Sequence, residues 1–207
     1  MASGVLSLFP TIVWRVELAR ALHERIDGAL MALLQEPIAK VGARQSWQSQ
    51  HALHEEPSLA ELVAAIEKLV RGALGFLHIG HDDFTITGCW ANVNGPGAAH
   101  ALHHHPNNYF SGVYYARVAE GGDTICFHDP RVQTRAIRPP VTSLTNENTD
   151  LAVAKVEPGT LLLFPAWLEH SVPPNESREQ RVSVSFNVMF DKYVESMSAP
   201  MWLPGYR

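Results

Sequence analysis

The residues best equipped for chemistry in this chain are its histidines. Eleven of the 207 residues are histidine, and four of them crowd into the segment 100–105 as His100, His103, His104 and His105. On an extended chain, side chains two positions apart share a face. His103 and His105 can therefore meet one metal ion, while His104 points away from it. Imidazole suits iron, zinc, copper and nickel alike, so the residue type selects no single metal. A third ligand is needed, and His170 is the best candidate: Pro158-Gly159 launches an apolar run that ends in a turn presenting this histidine. His100, His128, His51 and His54 are weaker candidates. A histidine cluster in a loop is often merely solvated, so the weight of this one depends on its surroundings.

Those surroundings include two polar rows. In Arg181–Asn187 the alternate positions Arg181, Ser183, Ser185 and Asn187 share one face, and Val182, Val184 and Phe186 the other. A polar row inside a small β container is costly unless it lines a wet or ligand-filled cavity. Trp90, Asn92 and Asn94 form a second such row. Arg181 heads the first row, where a planar guanidinium can clamp a carboxylate through two parallel hydrogen bonds. Arg178, in the polar loop before it, reads as solvated.

The elements that hold these side chains are mostly strands. After Gly80, short alternating runs at Phe84–Asn94, Tyr109–Val118, Asp123–His128, Thr160–Phe164 and Arg181–Phe190 are separated by Asn, Gly and Pro clusters, the spacing of a sandwich or barrel. Ahead of them, Phe9–Val16 reads as an opening strand. From Glu17, Leu18, Leu22, Ile26, Leu30, Leu33 and Leu34 recur at helical steps, and Pro37 is expected to stop that helix. A second helix carries Leu59, Leu62, Val63, Ile66, Leu69, Val70 and Leu74, with Ser58 as its expected N-cap. Val41–Glu55 reads as a loop or short extended stretch, and Arg131–Glu157 as a lid or mobile loop.

With 46% hydrophobic and 18% charged residues, a chain of this length can bury a core without a disulfide or a structural metal. Sixteen Lys and Arg against 21 Asp and Glu give a net charge of −5, and no basic run offers a footprint for nucleic acid or an anionic membrane. The start lacks the pattern of a secretory signal, and no apolar run is long enough to span a bilayer. Cys89 and Cys126 are expected to be buried and reduced. The expectation is a cytoplasmic protein of one domain, 1–207, with a strand and supporting helices over 1–80 and the β core over 81–195.

The segments HHHPNNYFSGVYYARVAEGGDTICFHDPR and PGTLLLFPAWLEHSVPPNESREQRVSVSFNVMF, together with LFPTIVWRVEL and SWQS, resemble the 2-oxoglutarate/Fe(II)-dependent oxygenases, in particular a small bacterial branch. The resemblance covers nearly the whole chain. It implies a mainly β (α+β) double-stranded β-helix, a jelly-roll or cupin-like barrel, with the N-terminal helices packed outside one sheet. The superfamily pattern is His-x-Asp/Glu, a distal His, and an Arg or Lys about ten residues later. Carried over, His103 and His170 match the two histidines, Arg181 the anchor for the far carboxylate of 2-oxoglutarate, and Ser183 its Arg-x-Ser companion. Tyr115, Asn92 and Asn94 are implied as further contacts to the cosubstrate.

This chain departs from the pattern at the carboxylate ligand, where it has His105. Three arrangements stay open: a triad of His103, His105 and His170, which is favoured; a site at His105-Pro-Asn107 with the carboxylate missing; or an oxygen supplied by Asp129. The cofactors implied are Fe(II), 2-oxoglutarate and O2. The implied reaction hydroxylates a C–H bond of a small molecule or peptide, with release of succinate and CO2. Asn107, Asn108 and Glu169 are candidates to orient the imidazoles, and Trp47, Gln48, Trp90, Tyr109 and Trp167 to line a substrate pocket. Two other classes compete. One is a cupin-type three-histidine dioxygenase or isomerase that does not use 2-oxoglutarate, against which the first cupin motif lacks its Glu. The other is a non-catalytic metal-binding barrel. A homodimer is left open, and the apolar tail Ser196–Arg207 is a candidate to cap the barrel, gate it or meet a partner.

Overall fold

The computed structural model describes residues 4, 8–80, 83–131, 133, 136–137, 139–145 and 147–191. The tail from 196 to 207 lies outside them. The described strands are β1 (Trp14–Glu17), β2 (Ser46–Gln48), β3 (Phe84–Asn94), β4 (His100–His103), β5 (Phe110–Arg117), β6 (Thr124–His128), β7 (Leu151–Lys155), β8 (Thr160–Pro165), β9 (His170–Val172) and β10 (Arg181–Phe190). They form a six-stranded sheet in the order β1-β8-β5-β10-β3-β2 and a four-stranded sheet in the order β4-β9-β6-β7. Every pairing between these described strands is antiparallel, and the two sheets do not close into one continuous barrel. This is the expected jelly-roll arrangement.

Strand parity sorts the large sheet into two faces. Cys89, Ala91 and Val93 of β3, Tyr114 and Ala116 of β5, Leu161 and Leu163 of β8, and Val182, Val184 and Phe186 of β10 belong to one buried cluster. The same cluster takes Ile26 and Leu30 from helix α1 (Arg20–Leu33), and Leu62, Ile66, Val70 and Leu74 from helix α3 (Ala60–Phe76). The helices thus cover one face of the large sheet, as the helical periodicity and the resemblance together imply. Each fully buried aliphatic side chain there contributes about 1.5–3 kcal/mol. On the opposite face, Val113, Tyr115, Leu162 and Phe164 meet Ile125, Phe127 and Val172 of the small sheet in a second cluster. The polar rows of β3 and β10 share that inner face.

Gly112 is fixed by close packing. A Cβ there would fall 2.2 Å from the Phe186 ring and 2.5 Å from the Leu162 carbonyl oxygen. Gly159, at φ +95°, makes the turn into β8, and its N–H donates to the Tyr115 carbonyl at 2.8 Å.

Several boundaries differ from expectation. The opening strand is confined to Trp14–Glu17, and Phe9, at φ 55°, is 92% exposed. The first helix breaks at Leu34 rather than at Pro37, which sits in the first turn of a short helix α2 (Gln35–Lys40). A proline is tolerated there because its missing N–H would have no partner in the first turn. Ser58 is not a cap: it lies in a 3-10 turn, Pro57–Leu59, and Leu59 precedes α3 without a capping side chain. The 41–55 stretch contains β2, which pairs with β3, and the 131–157 stretch contains β7, which pairs with β6. Strands β4 and β9 were not legible, because both are short and built around histidine.

Candidate metal centre

Strands β4 and β9 bring two histidines together by register: His103 and His170 are directly opposed. His105 follows just beyond the end of β4, where its backbone N–H donates to the Ala166 carbonyl at 2.9 Å and Asn107 turns the chain at φ 63°. One ring nitrogen from each of the three lies within 4.8 Å of the others. The ring centroids are 4.3 Å apart for His103 and His170, 5.1 Å for His103 and His105, and 5.2 Å for His105 and His170.

Two of these rings are aimed by the backbone. Nδ1 of His103 is 2.7 Å from the Ala101 carbonyl oxygen, and Nδ1 of His170 is 2.9 Å from that of Leu168. A carbonyl only accepts, so each Nδ1 carries the proton and each Nε2 lone pair is left for an ion. Metal-binding histidines use this arrangement to fix tautomer and orientation. Burial pushes the His170 imidazolium down to about 3, against the opposing pull of the Leu168 carbonyl and with help from His103, His105 and His100. Burial, then His103 and His104, push His105 down to about 4. Both rings are neutral at pH 7, the form that ligates metal.

The other acidic and polar candidates stand elsewhere. Asp129 holds Arg131, accepting from its guanidinium at 2.8 and 3.0 Å and from its backbone N–H at 2.9 Å, and it is not part of the histidine cluster. Asn108 donates to the Pro106 carbonyl and accepts from Thr87, which staples the loop. Glu169 lends its backbone carbonyl to His128, whose Nε2 pairs with Ser171 at 2.9 Å. His51 stacks on Trp90 at 4.5 Å.

The three imidazoles open on a cavity of about 240 Å³ that Tyr115, Ser183, Asn92 and Trp90 also line. Asn92 is tied to Ser185 through its Nδ2 at 3.0 Å and receives Gln48 Nε2 at 3.3 Å. Arg181 is 2% exposed. Its Nη1 donates to the Gly122 carbonyl at 3.3 Å, and its Nη2 is buried without a partner. Burial lowers its proton affinity, which Tyr115 partly restores. Burial in turn pushes the Tyr115 phenol well above its usual range, so the hydroxyl keeps its proton. A guanidinium removed from water with a free N–H is a site for an anion.

Asn94, directly opposite Arg181, has a second orphan: its Nδ2 is buried without a partner, while its Oδ1 faces His100 Nε2 at 3.0 Å. His100 lines the cavity, and burial, then Arg181 and His103, push it down to about 4. Strand parity would send His100 and His103 to opposite faces. An irregular register between them in β4 turns both inward, a device visible only in the pairing. Of the expected pocket residues, Gln48 and Trp90 line the cavity. Trp47 packs against the helix-side core, Tyr109 lies on Phe110 and Phe190, and Trp167 is 54% exposed.

Residues 88–187 match the family described as "Putative 2OG-Fe(II) oxygenase". No curated protein matches the chain significantly. Among solved structures, HygX from Streptomyces hygroscopicus, with nickel and 2-oxoglutarate bound, is similar at 15% identity and a TM-score of 0.61, over 87% of this chain and 83% of that one. A prolyl-4-hydroxylase from Pseudomonas putida is similar at 16% identity and 0.60, over 87% and 93%. A prolyl hydroxylase from Trichoplax adhaerens, in complex with a hypoxia-inducible-factor peptide, is similar at 16% identity and 0.60, over 90% and 87%. At these identities the likeness is one of fold.

Proposed function

We propose, from the match of residues 88–187 to the putative 2OG-Fe(II) oxygenase family, that the chain holds Fe(II) on His103, His105 and His170 and anchors 2-oxoglutarate on Arg181. The observation that carries this reading is the buried, unpartnered Nη2 of Arg181 in the same β container as three convergent imidazoles. The residues fit both groups: neutral nitrogen ligands for the metal, and a desolvated cation for a carboxylate. The chemistry supplied by Fe(II) and 2-oxoglutarate is O2 activation coupled to decarboxylation, which yields succinate, CO2 and a hydroxylated C–H position.

The chain's own residues bind, orient and exclude. His103 and His170 present Nε2 because carbonyls hold their Nδ1 protons. Arg181 and Ser183 bind the far carboxylate, and Tyr115, protonated at all physiological pH values, donates beside them. Asn92 and Asn94 complete the polar wall. Val113, Ile125, Phe164 and Val172 line the cavity and keep it poor in water, which strengthens each of these contacts. The substrate, a small molecule or a peptide segment, meets Gln48 and Trp90.

A neutral triad leaves the metal one unit more positive than a carboxylate-bearing one. Weaker retention of Fe(II) on dialysis follows, and a His105→Asp variant is expected to hold iron better. Anaerobic addition of 2-oxoglutarate to the Fe(II) protein is expected to raise a visible metal-to-ligand band that an Arg181→Ala variant lacks. Absence of the band in the native protein, with iron retained, would favour a three-histidine oxygenase that does not use 2-oxoglutarate. Succinate release in the presence of amino acids, small metabolites and peptides sorts the substrates.

A further inference from the structure

We infer that His100 is a positioning residue for the far carboxylate of the cosubstrate, acting through the Asn94 amide; the inference rests on the oxygenase reading. An amide has a donating and an accepting end, and which one faces a carboxylate decides whether it attracts or repels. His100 Nε2 lies 3.0 Å from Asn94 Oδ1, so its N–H occupies the accepting end. That leaves Nδ2 free, and it is buried without a partner. Asn94 and Arg181 are directly opposed on neighbouring strands, and Arg181 carries the other unpartnered nitrogen of this corner.

Two orphan donors on opposed residues, one cationic and one neutral, make a pocket for a single anionic group. Removing the His100 N–H frees the amide to turn. Its oxygen would then face the guanidinium, filling the free N–H of Arg181 and presenting a lone pair to the incoming carboxylate. His100 thus governs recognition of the carboxylate end, while the 2-oxo acid end is left to the metal. The irregular register of β4 is what allows one short strand to serve both ends, with His100 on the amide and His103 on the ion.

The test compares two ligands on the Fe(II) protein without oxygen, read by the visible band: 2-oxoglutarate, and 2-oxobutyrate, which has the same chelating end and no far carboxylate. His100→Leu is expected to weaken 2-oxoglutarate about tenfold, with 2-oxobutyrate affinity and iron content unchanged. His100→Gln, which can return an N–H to Asn94 Oδ1, is expected to recover most of the loss. In an Asn94→Ala background His100→Leu is expected to add nothing. Equal weakening of both ligands, an unchanged 2-oxoglutarate affinity, or a His100→Gln variant as weak as His100→Leu would overturn the inference. A native protein that keeps its iron but shows no band with 2-oxoglutarate would instead remove the 2-oxoglutarate-dependent reading, and this inference with it.

Discussion

The six-stranded sheet has helices on one face and the smaller sheet on the other, whereas the edge strands of the four-stranded sheet, β4 and β7, are largely exposed. Leu102, Leu151 and Val153 there are 47%, 38% and 59% exposed. The proposed site is divided along the same line. Arg181, Ser183, Asn92, Asn94 and Tyr115 belong to the large sheet, and His103 and His170 to the small one. A carboxylate pocket built from desolvated donors needs a rigid, dry wall. A metal can supply part of the order on its own side, because ligands that bind only the folded state stabilise it.

The largest expected effect that tests this contrast is acid lability of the metal-free protein. His100, His105 and His170 have folded values of about 4, 4 and 3, below the ordinary 6.5. Above pH 6.5 neither state is protonated there and stability is full. As pH falls from 6.5 towards 4 and 3, the unfolded chain takes protons that the folded one refuses, and stability falls. Added Fe(II) or Zn(II) should move the acid midpoint lower. A midpoint that metal leaves unchanged would break the proposed link between the small sheet and the ion.

On the large sheet the expected outcome has the opposite sign. Arg181→Met should weaken 2-oxoglutarate at least about a hundredfold, on the scale of a lost charge-assisted contact. The same change should leave the ligand-free protein as stable as before or more so, since it removes an incompletely satisfied buried charge. Denaturant titration beside anaerobic binding measures both. Gly112→Ala should cost about 2–3 kcal/mol, because neither the Phe186 ring nor the Leu162 backbone can give way freely. Smallest is Val153→Lys on β7, expected within about 0.5 kcal/mol in the same titration. A large loss there would mean that the outer face of the small sheet is not free.

What was legible in the sequence followed period. The two-residue alternation of β3 and β10 separated the polar rows from the core, and the structure keeps that division residue for residue. The helical leucine pattern likewise marked the buried faces of α1 and α3, although Leu33 is 41% exposed. The apolar run from Pro158 to the turn at His170 and the polar row headed by Arg181 marked both residues as candidates, and the family resemblance added the roles now proposed for them; the structure brings His170 to His103 and His105. Illegible were features that depend on contact between distant segments. Strands β4 and β9 have too few residues to show a period. β7 borrows its identity from pairing with β6. The role of His100 depends on an interrupted register, which alternation misassigns. The helix break at Leu34 was missed because proline is a stop only once a helix is past its first turn.

One last consequence follows from the carbonyl contacts at Nδ1. His103 and His170 each have one, from the residue two positions earlier; among the described residues His105 has no side-chain hydrogen bond. Position 105 is therefore the replaceable corner of the proposed triad. In the proposed centre an aspartate there would exchange one ligand without re-aiming the other two, so the net charge around the ion is adjustable through a single residue, with the rest of the framework left in place.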